Sequence, residues 1–300
     1  MNFPQRQGRI AAWSTEARGW IPSPTAMIVF PNAKINLGLQ VLRKRADGYH
    51  DIETVMVPIP LCDALEAIVD PGLAANEVVL TRSGLPVPGN EADDLCLRAV
   101  RAIQQERTLP GLRLHLHKVI PMGAGLGGGS SDGARTLLLL NDLLELGLAP
   151  ATLHGMAAAL GSDVPFFLQQ GAQLAEGRGE RLRHVEVDLA GLWLVLINPG
   201  VHVPTAVVYA HTVTTGRAAG LAEILASEPL ERWQDLVVNG MESHVLSTHA
   251  AVADAKAQLL HAGAAYCSMS GSGSTVFGLF RSKPPQVPTP EGWRKWCYQL

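Results

Sequence analysis

The sequence predicts an α+β protein with two lobes. Leu112, Leu114 and Leu116 alternate with Arg113, His115 and His117, and a period of two places side chains on opposite faces of a strand. Asp132 to Leu146 is a leucine-rich run that reads as a mostly buried helix, and it follows directly on a glycine-rich stretch. Strand-like and helix-like segments are mixed along the whole chain, and 300 residues leave room for one large core or two modest ones. The boundary between lobes is expected between Gly171 and Asp188, giving segments 27–180 and 181–300.

Taken in order, residues 1–26 are rich in Arg, Pro, Gln and Gly and lack an apolar signal-peptide core. They are expected to be a disordered extension, or to lie upstream of a start at Met27. Ile28 to Phe30 and Ile35 to Leu42 read as strands separated by Pro31, and Arg43 to His50 as a turn marked by Asp47-Gly48. Ile52 to Ile59 and Leu65 to Val69 are further strands. Pro71 to Asp94 is expected to be loops around a short strand, Val78 to Leu80. Leu95 to Gln105 reads as a helix, and a second helical stretch begins at Pro150 and ends near Leu160-Gly161. Ala172 to Ala175, Trp193 to Ile197 and Val276 to Phe280 read as strands. Leu221 to Leu225, Val237 to Leu246 and Ala250 to Leu260 read as helices, and Gly200 to Pro204 as a turn. Pro284 to Leu300 carries no clear pattern. Trp193 is expected to pack near a strand of the second lobe, and Trp293 and Trp296 to cover a groove or mediate association.

Composition narrows the function. The net charge of −3 argues against a general nucleic-acid binder, whose affinity comes from clustered Lys and Arg. No run of eighteen apolar residues suggests a membrane span. The four cysteines, Cys62, Cys96, Cys267 and Cys297, form no CxxC pair, so reduced thiols in a cytoplasmic protein are the simpler reading. His115, His117, His184, His202 and His211 do not form a metal-ligand pattern.

The most informative stretch is Pro121-Met122-Gly123-Ala124-Gly125-Leu126-Gly127-Gly128-Gly129-Ser130-Ser131. Glycine admits unusual dihedrals and close approach, so successive N–H groups can converge on a phosphate. The helix that follows adds unpaired N–H donors and the positive end of its dipole. The stretch lacks the Gly-Lys-Ser/Thr ending of a Walker A loop and does not match a Rossmann fingerprint. A purely structural turn, or a nucleotide-binding module without catalysis, stays open on this stretch alone. Gly271-Ser272-Gly273 is a second small-residue loop, either a tight turn or part of the same cleft.

Several segments in this order resemble the GHMP kinase superfamily: Pro31 to Leu37, Arg45 to His50, Pro121 to Ser131, Gly161 to Phe167 and Gly271 to Gly273. The resemblance implies a ribosomal protein S5 domain 2-like N-terminal lobe, a ferredoxin-like C-terminal lobe, and a cleft between them for ATP, Mg2+ and substrate. It implies phosphorylation of an alcohol. Arg45 to His50 narrows the likeness to the branch that acts on the 2-hydroxyl of a cytidine-diphosphate-linked methylerythritol in non-mevalonate isoprenoid biosynthesis.

By the same resemblance Asp163 accepts or orients the substrate hydroxyl proton, and Lys34 holds Asp163 ionised and stabilises the developing charge. Residues 121–131 bind ATP, with Ser130 a candidate for the metal. Asn36, Tyr49, His50, Gly271 and Gly273 contact substrate, with Tyr49 and His50 at the cytosine. Without the resemblance, Asp163 reads as a helix cap, Lys34 as a strand residue reaching solvent, and Tyr49-His50 as a surface turn. A kinase acting on homoserine, mevalonate or a sugar, and a nucleotide-binding regulator, are the alternatives. The partner expected is a small molecule, with no nucleic acid or membrane, on a monomer or weak homodimer.

Overall fold

The computed structural model describes residues 25–216 and 218–300. The extension expected over residues 1–26 therefore lies outside the described residues except for its last two. Ala26 already belongs to a strand, and the Thr25 carbonyl accepts the Val69 N–H.

The strands are β1 (Ala26–Val29), β2 (Asn32–Lys44), β3 (His50–Cys62), β4 (Ala64–Val69), β5 (Val78–Gly84), β6 (Leu112–Lys118), β7 (Gln173–Gly177), β8 (Arg181–His184), β9 (Trp193–Asn198), β10 (Tyr266–Met269), β11 (Val276–Phe280) and β12 (Arg294–Gln299). The helices are α1 (Leu95–Gln104), α2 (Gly128–Leu143), α3 (Pro150–Leu160), α4 (Thr205–His211), α5 (Leu221–Ser227), α6 (Trp233–Leu236), α7 (Glu242–Thr248) and α8 (Ala250–His261). Three four-stranded sheets run β1-β4-β6-β5, β2-β3-β7-β8 and β10-β11-β9-β12. The β5–β6 pair is parallel and the other pairs within these sheets are antiparallel.

The architecture is a two-lobed α+β fold. Alternate residues of β4 and β6 (Leu65, Ala67, Leu112, Leu114, Leu116) turn inward onto α1, α2 and α3, where Val100, Ile103, Leu137, Leu140 and Leu153 close one core. A second core lies between β9–β11 and α7–α8 and includes Val195, Ile197, Val245, Val252, Leu259 and Phe280. The third joins the lobes: Ala33, Ile35 and Leu37 of β2 pack with Leu194, Leu196, Tyr266 and Phe277. The long β2–β3 pair is buried on both faces for most of its length, so it spans the seam. Its register shifts between Asn32 and Lys34, between Leu37 and Leu39, and between Val41 and Arg43, and such bulges re-aim side chains.

The structure corrects several expectations. The helix placed at Asp132 to Leu146 is α2, which begins at Gly128 and ends at Leu143. Its first turn thus takes Gly128, Gly129, Ser130 and Ser131 from the expected loop. Glycine is used at 128 and 129 for close packing: a Cβ would lie 2.8 Å from Ile120 Cγ2 and 3.1 Å from Met122 Cε, respectively. Val237 to Leu246 is not one helix. Residues 237–241 run past β2, where Leu39 donates to the Val238 carbonyl and Gly240 to the Leu39 carbonyl, and α7 starts only at Glu242. The apolar pair at 237–238 serves this crossing rather than a helix face.

Strands β8, β10 and β12 and helices α4 and α6 are additional to the sequence reading. In β12, Trp296 and Tyr298 alternate with exposed residues and pack on the seam core, while Trp293 packs on the α7–α8 core. All four cysteines are unpaired. No described helix is long and apolar enough to cross a membrane.

Candidate active site

The site forms where β2, the glycine stretch and the 270–275 loop meet. The period of two along β2 turns Ala33, Ile35 and Leu37 into the seam core. It leaves Lys34 and Asn36 on the opposite face, where both are nonetheless buried. Lys34 N donates to the Leu126 carbonyl at 2.9 Å, so the strand is pinned to the glycine stretch by its own backbone. Lys34 Nζ donates to Asn36 Oδ1 at 2.5 Å and to the Gly125 carbonyl at 3.1 Å, and lies 3.7 Å from Asp163 Oδ2. Burial pulls the Lys34 pKa below its ordinary 10.5, and the neighbouring Asp163 carboxylate opposes that fall. Asp163 itself is open to solvent, with its side chain 40% exposed against 5% for Lys34.

Asn36 is held on three sides. Its Nδ2 donates to Thr54 Oγ1 at 3.0 Å, its backbone N–H donates to Ser270 Oγ at 3.2 Å, and its Oδ1 accepts from Lys34 Nζ. Ser270 Oγ in turn donates to the Gly125 carbonyl at 2.8 Å. Sequence reasoning gave no role to Ser270, which precedes the second small-residue loop, or to Thr54; both roles follow from tertiary packing.

Two glycines are dictated by this contact. Gly125 has φ +77°, and a Cβ there would lie 2.0 Å from the Ser270 carbonyl oxygen; Gly127 has φ +70°, and a Cβ would lie 2.7 Å from the Phe167 ring and 3.2 Å from Lys34 Cε. Any L side chain at these positions is both strained and obstructed. Gly271 lies against Asn36 and Gly125, whereas Gly273 packs on Met269 and contributes through its carbonyl near Gly125. Ala124 accepts the Thr275 N–H at 3.2 Å. Pro121 precedes this turn, and Met122 packs beside Gly129.

The amino end of α2 faces a cleft of about 520 Å³ lined by Arg82, Asn90, Asp94, Met122, Gly129 and Asp132, among others. Ser131, in the first turn of α2, is fully buried and its Oγ has no hydrogen-bond partner. A helix start with free N–H groups, glycine on its approach and an unspent hydroxyl is chemically suited to an anionic oxygen ligand. Beneath it Lys118 Nζ bridges two buried carboxylates, Asp63 at 2.5 Å and Asp132 at 2.7 Å. Asp63 also accepts the N–H groups of Val119 and Ile120. Burial pushes Asp132 up to about 8 in spite of Lys118. This trio anchors α2 to β6 and was not singled out from the sequence.

No group of three or more His, Cys, Asp and Glu side chains among the described residues is arranged to hold a metal ion. The oxygen donors at the loop are the hydroxyls of Ser130 and Ser131. That set fits a magnesium ion held mainly by nucleotide phosphates and water, with at most a serine hydroxyl from the protein.

The β2–β3 hairpin carries Tyr49 and His50 to the other side of the site. Its tip is braced by charge: Arg43 and Arg45 pair with Asp51 at 2.6 and 2.7 Å, and Arg45 pairs with Asp47 at 3.0 Å. His50 stacks on Tyr209 of α4, with centroids 4.9 Å apart and planes 17° from parallel. Burial, and after it the charge of Asp163, push the Tyr209 hydroxyl up to about 12. Tyr49 is 54% exposed. Tyr209 escaped the sequence reading because α4 is short and lies 159 positions from His50.

The arrangement was compared with known proteins. Residues 94–171 match the family described as GHMP kinases N terminal domain, and residues 221–299 match GHMP kinases C terminal. A protein of Cytophaga hutchinsonii named 4-diphosphocytidyl-2-C-methyl-D-erythritol kinase is 46% identical over 259 residues, covering 86% of this chain and 94% of its own. One of Parabacteroides distasonis with the same name is 41% identical over 254 residues, covering 85% and 92%. A crystal structure of 4-(cytidine 5'-diphospho)-2C-methyl-D-erythritol kinase superposes with a TM-score of 0.70 at 32% identity, covering 85% of this chain and 91% of that one.

Proposed function

The chain belongs to the GHMP kinase superfamily, and from that premise we propose that it phosphorylates the 2-hydroxyl of 4-diphosphocytidyl-2-C-methyl-D-erythritol with ATP. The products are the 2-phosphate and ADP, in non-mevalonate isoprenoid biosynthesis. The observation that carries the reading is the juxtaposition of Lys34 and Asp163 at 3.7 Å, with Lys34 bonded to the glycine stretch on one side. The names of the relatives, and the aromatic wall of His50 and Tyr209, support the cytidine substrate.

In this reading the ATP phosphates lie on the turn at residues 123–127 and the amino end of α2, where N–H groups are free to receive them. The γ-phosphate faces Asp163. The substrate hydroxyl oxygen forms a bond to the γ-phosphorus as the bond from phosphorus to the β,γ-bridging oxygen breaks, and the hydroxyl proton passes to the Asp163 carboxylate. Lys34 orients that carboxylate and meets the charge that develops beside it. Asn36, fixed by Thr54 and Ser270, orients the alcohol with a donor or an acceptor. Magnesium, where bound with ATP beside Ser130 and Ser131, neutralises phosphate charge.

At the far end the cytosine ring is received by Tyr49 and His50, with Tyr209 extending the apolar surface under His50. The lobes are proposed to divide near residue 180 into an S5 domain 2-like part (27–180) and a ferredoxin-like part (181–300). Strand β8 reaches back across that division to pair with β7.

The test is ADP release from magnesium-ATP with a panel of the cytidine-diphosphate alcohol, homoserine and mevalonate. Selective turnover of the first supports the reading. Selective turnover of another alcohol transfers the chain to a different branch, and no turnover of any refutes the kinase assignment for this panel.

A further inference from the structure

We propose that Arg178 is a positioning residue for the cytidine substrate, acting through Tyr49. The inference rests on the cytidine reading above and deepens it. A tyrosine that is 54% exposed on a hairpin tip has little packing to hold its ring in one place. Here the Arg178 guanidinium lies over that ring, with Cζ 4.9 Å from the centroid. This is cation–π distance, at which the guanidinium charge attracts the face of the ring.

Three features show that Arg178 is held for this contact. It occupies the β7–β8 turn between Gly177 at φ +69° and Gly179 at φ +109°, so the turn is sharply defined. Its own N–H is fixed by Glu180 Oε2 at 2.6 Å. The acidic groups of the hairpin are already taken up: Asp51 by Arg43 and Arg45, and Asp47 by Arg45. The guanidinium forms no ion pair at bonding distance among the described residues; its charge reaches Asp47 through space while its Cζ lies over the ring.

The turn also places this contact beside the chemistry. A Cβ at Gly179 would lie 3.7 Å from Asp163 Oδ1 and 3.7 Å from Ile52 Cδ1. One tight turn thus abuts the proposed base and, one residue earlier, sends an arginine over the proposed base-stacking tyrosine. Closure of a nucleobase on Tyr49 would bury the pair further, and the attraction strengthens as water is removed. Arg178 acts in substrate capture and leaves the phosphoryl transfer itself to Lys34 and Asp163.

The experiment is a double-mutant cycle on the full chain, with Arg178→Met, Tyr49→Leu and the double variant. Steady-state KM for the cytidine-diphosphate alcohol, KM for ATP and kcat are measured for each. Arg178→Met is expected to raise the KM for the alcohol roughly three- to thirtyfold, the range of a partly desolvated cation–π pair. KM for ATP and kcat are expected to stay within about twofold. Tyr49→Leu is expected to raise the same KM, and adding Arg178→Met to it to change nothing further, because the arginine then has no ring to hold. Arg178→Lys is expected to recover part of the loss.

An unchanged KM in Arg178→Met, or losses that multiply in the double variant, overturns the positioning role. A parallel rise in KM for ATP does so as well, since it marks a general structural defect. Wild-type protein that turns over homoserine or mevalonate but not the cytidine alcohol overturns the substrate reading, and the inference with it. The wild-type row alone therefore separates that failure from the failure of Arg178.

Discussion

Replacing Lys34 by Met removes one buried cation while keeping most of the unbranched stem. Lys34 Nζ is 3.7 Å from Asp163 Oδ2. Two unit charges near that separation attract by about 1 kcal/mol in water and about 4 kcal/mol at an effective dielectric of 20. Because Asp163 is 40% exposed, solvent screening puts this pair toward the lower end. Opposing it is the desolvation of the ammonium, of order several kcal/mol. The depressed pKa of Lys34 shows that burial outweighs the attraction. The Gly125 carbonyl keeps the single Ser270 Oγ proton at 2.8 Å, whereas Asn36 Oδ1, 3.4 Å from that hydroxyl, loses its main donor. The relief of desolvation and the orphaned oxygen oppose each other, so folding stability near neutral pH is expected to change by less than about 2 kcal/mol.

Turnover responds differently. Loss of a fixed charge aimed at the reacting atoms costs roughly 10²- to 10³-fold in kcat. The pH dependence adds a check on sign. With the folded pKa below 10.5, the unfolded chain binds more protons than the native one between the two values, so this residue makes wild-type stability rise with pH there. Lys34→Met lacks that contribution. Urea unfolding at several pH values and ADP release measure both effects. A stability loss above about 3 kcal/mol with kcat within tenfold of wild type would refute the reasoning and make the lysine structural.

Asp163→Asn is expected to lower ADP formation about 10²- to 10⁴-fold, the contribution of a general base, while thermal unfolding stays within about 4 °C of wild type; substantial retained turnover sinks the base assignment. Gly125→Ala forces a Cβ to within 2.0 Å of the Ser270 carbonyl oxygen at φ +77°. The turn must open, so stability should fall by about 1–3 kcal/mol and KM for ATP should rise; an unaltered KM argues against the phosphate role of this turn. Lys118→Met leaves Asp63 and Asp132 buried without their cation, which should cost about 3–5 kcal/mol. That loss, taken as the difference from wild type, should grow as pH rises through about 8, where wild-type Asp132 releases its proton beside Lys118 and the carboxyl of the variant holds on to it. A difference from wild type unchanged between about pH 7 and about pH 9 contradicts it.

What could be read from the sequence follows a physical division. The cradle is legible because backbone chemistry leaves a residue-type signature: where φ is +77° and another carbonyl presses in, glycine must stand, and it stands in the text of the chain. Strand β6 is legible for a related reason, since its one-sided burial writes leucine at every second position. Helix α2 is misplaced by four residues because glycines 128 and 129 serve packing and look no different from glycines that serve a turn. Strand β12 escapes because its alternation is carried by Trp296 and Tyr298 between polar residues, beyond a proline-rich segment.

Side-chain assemblies across the seam are another matter. Tyr209 over His50, Arg178 over Tyr49 and Lys118 between two aspartates each join residues whose local patterns say nothing of one another. The same holds for Lys34 and Asp163, which reach the sequence reading only through a family likeness. Yet the fold ties that pair to the legible cradle at one point. The short helical turn Pro165–Leu168 that follows Asp163 drives the Phe167 ring against Gly127, and Gly127 also borders the Lys34 stem. Gly127 therefore answers three demands at once: a left-handed turn, room for a ring, and room for a buried cation. A larger residue there would displace the glycine turn, the carboxylate and the lysine together, so the proposed phosphate site and the proposed acid–base pair are a single packed unit rather than two neighbouring ones.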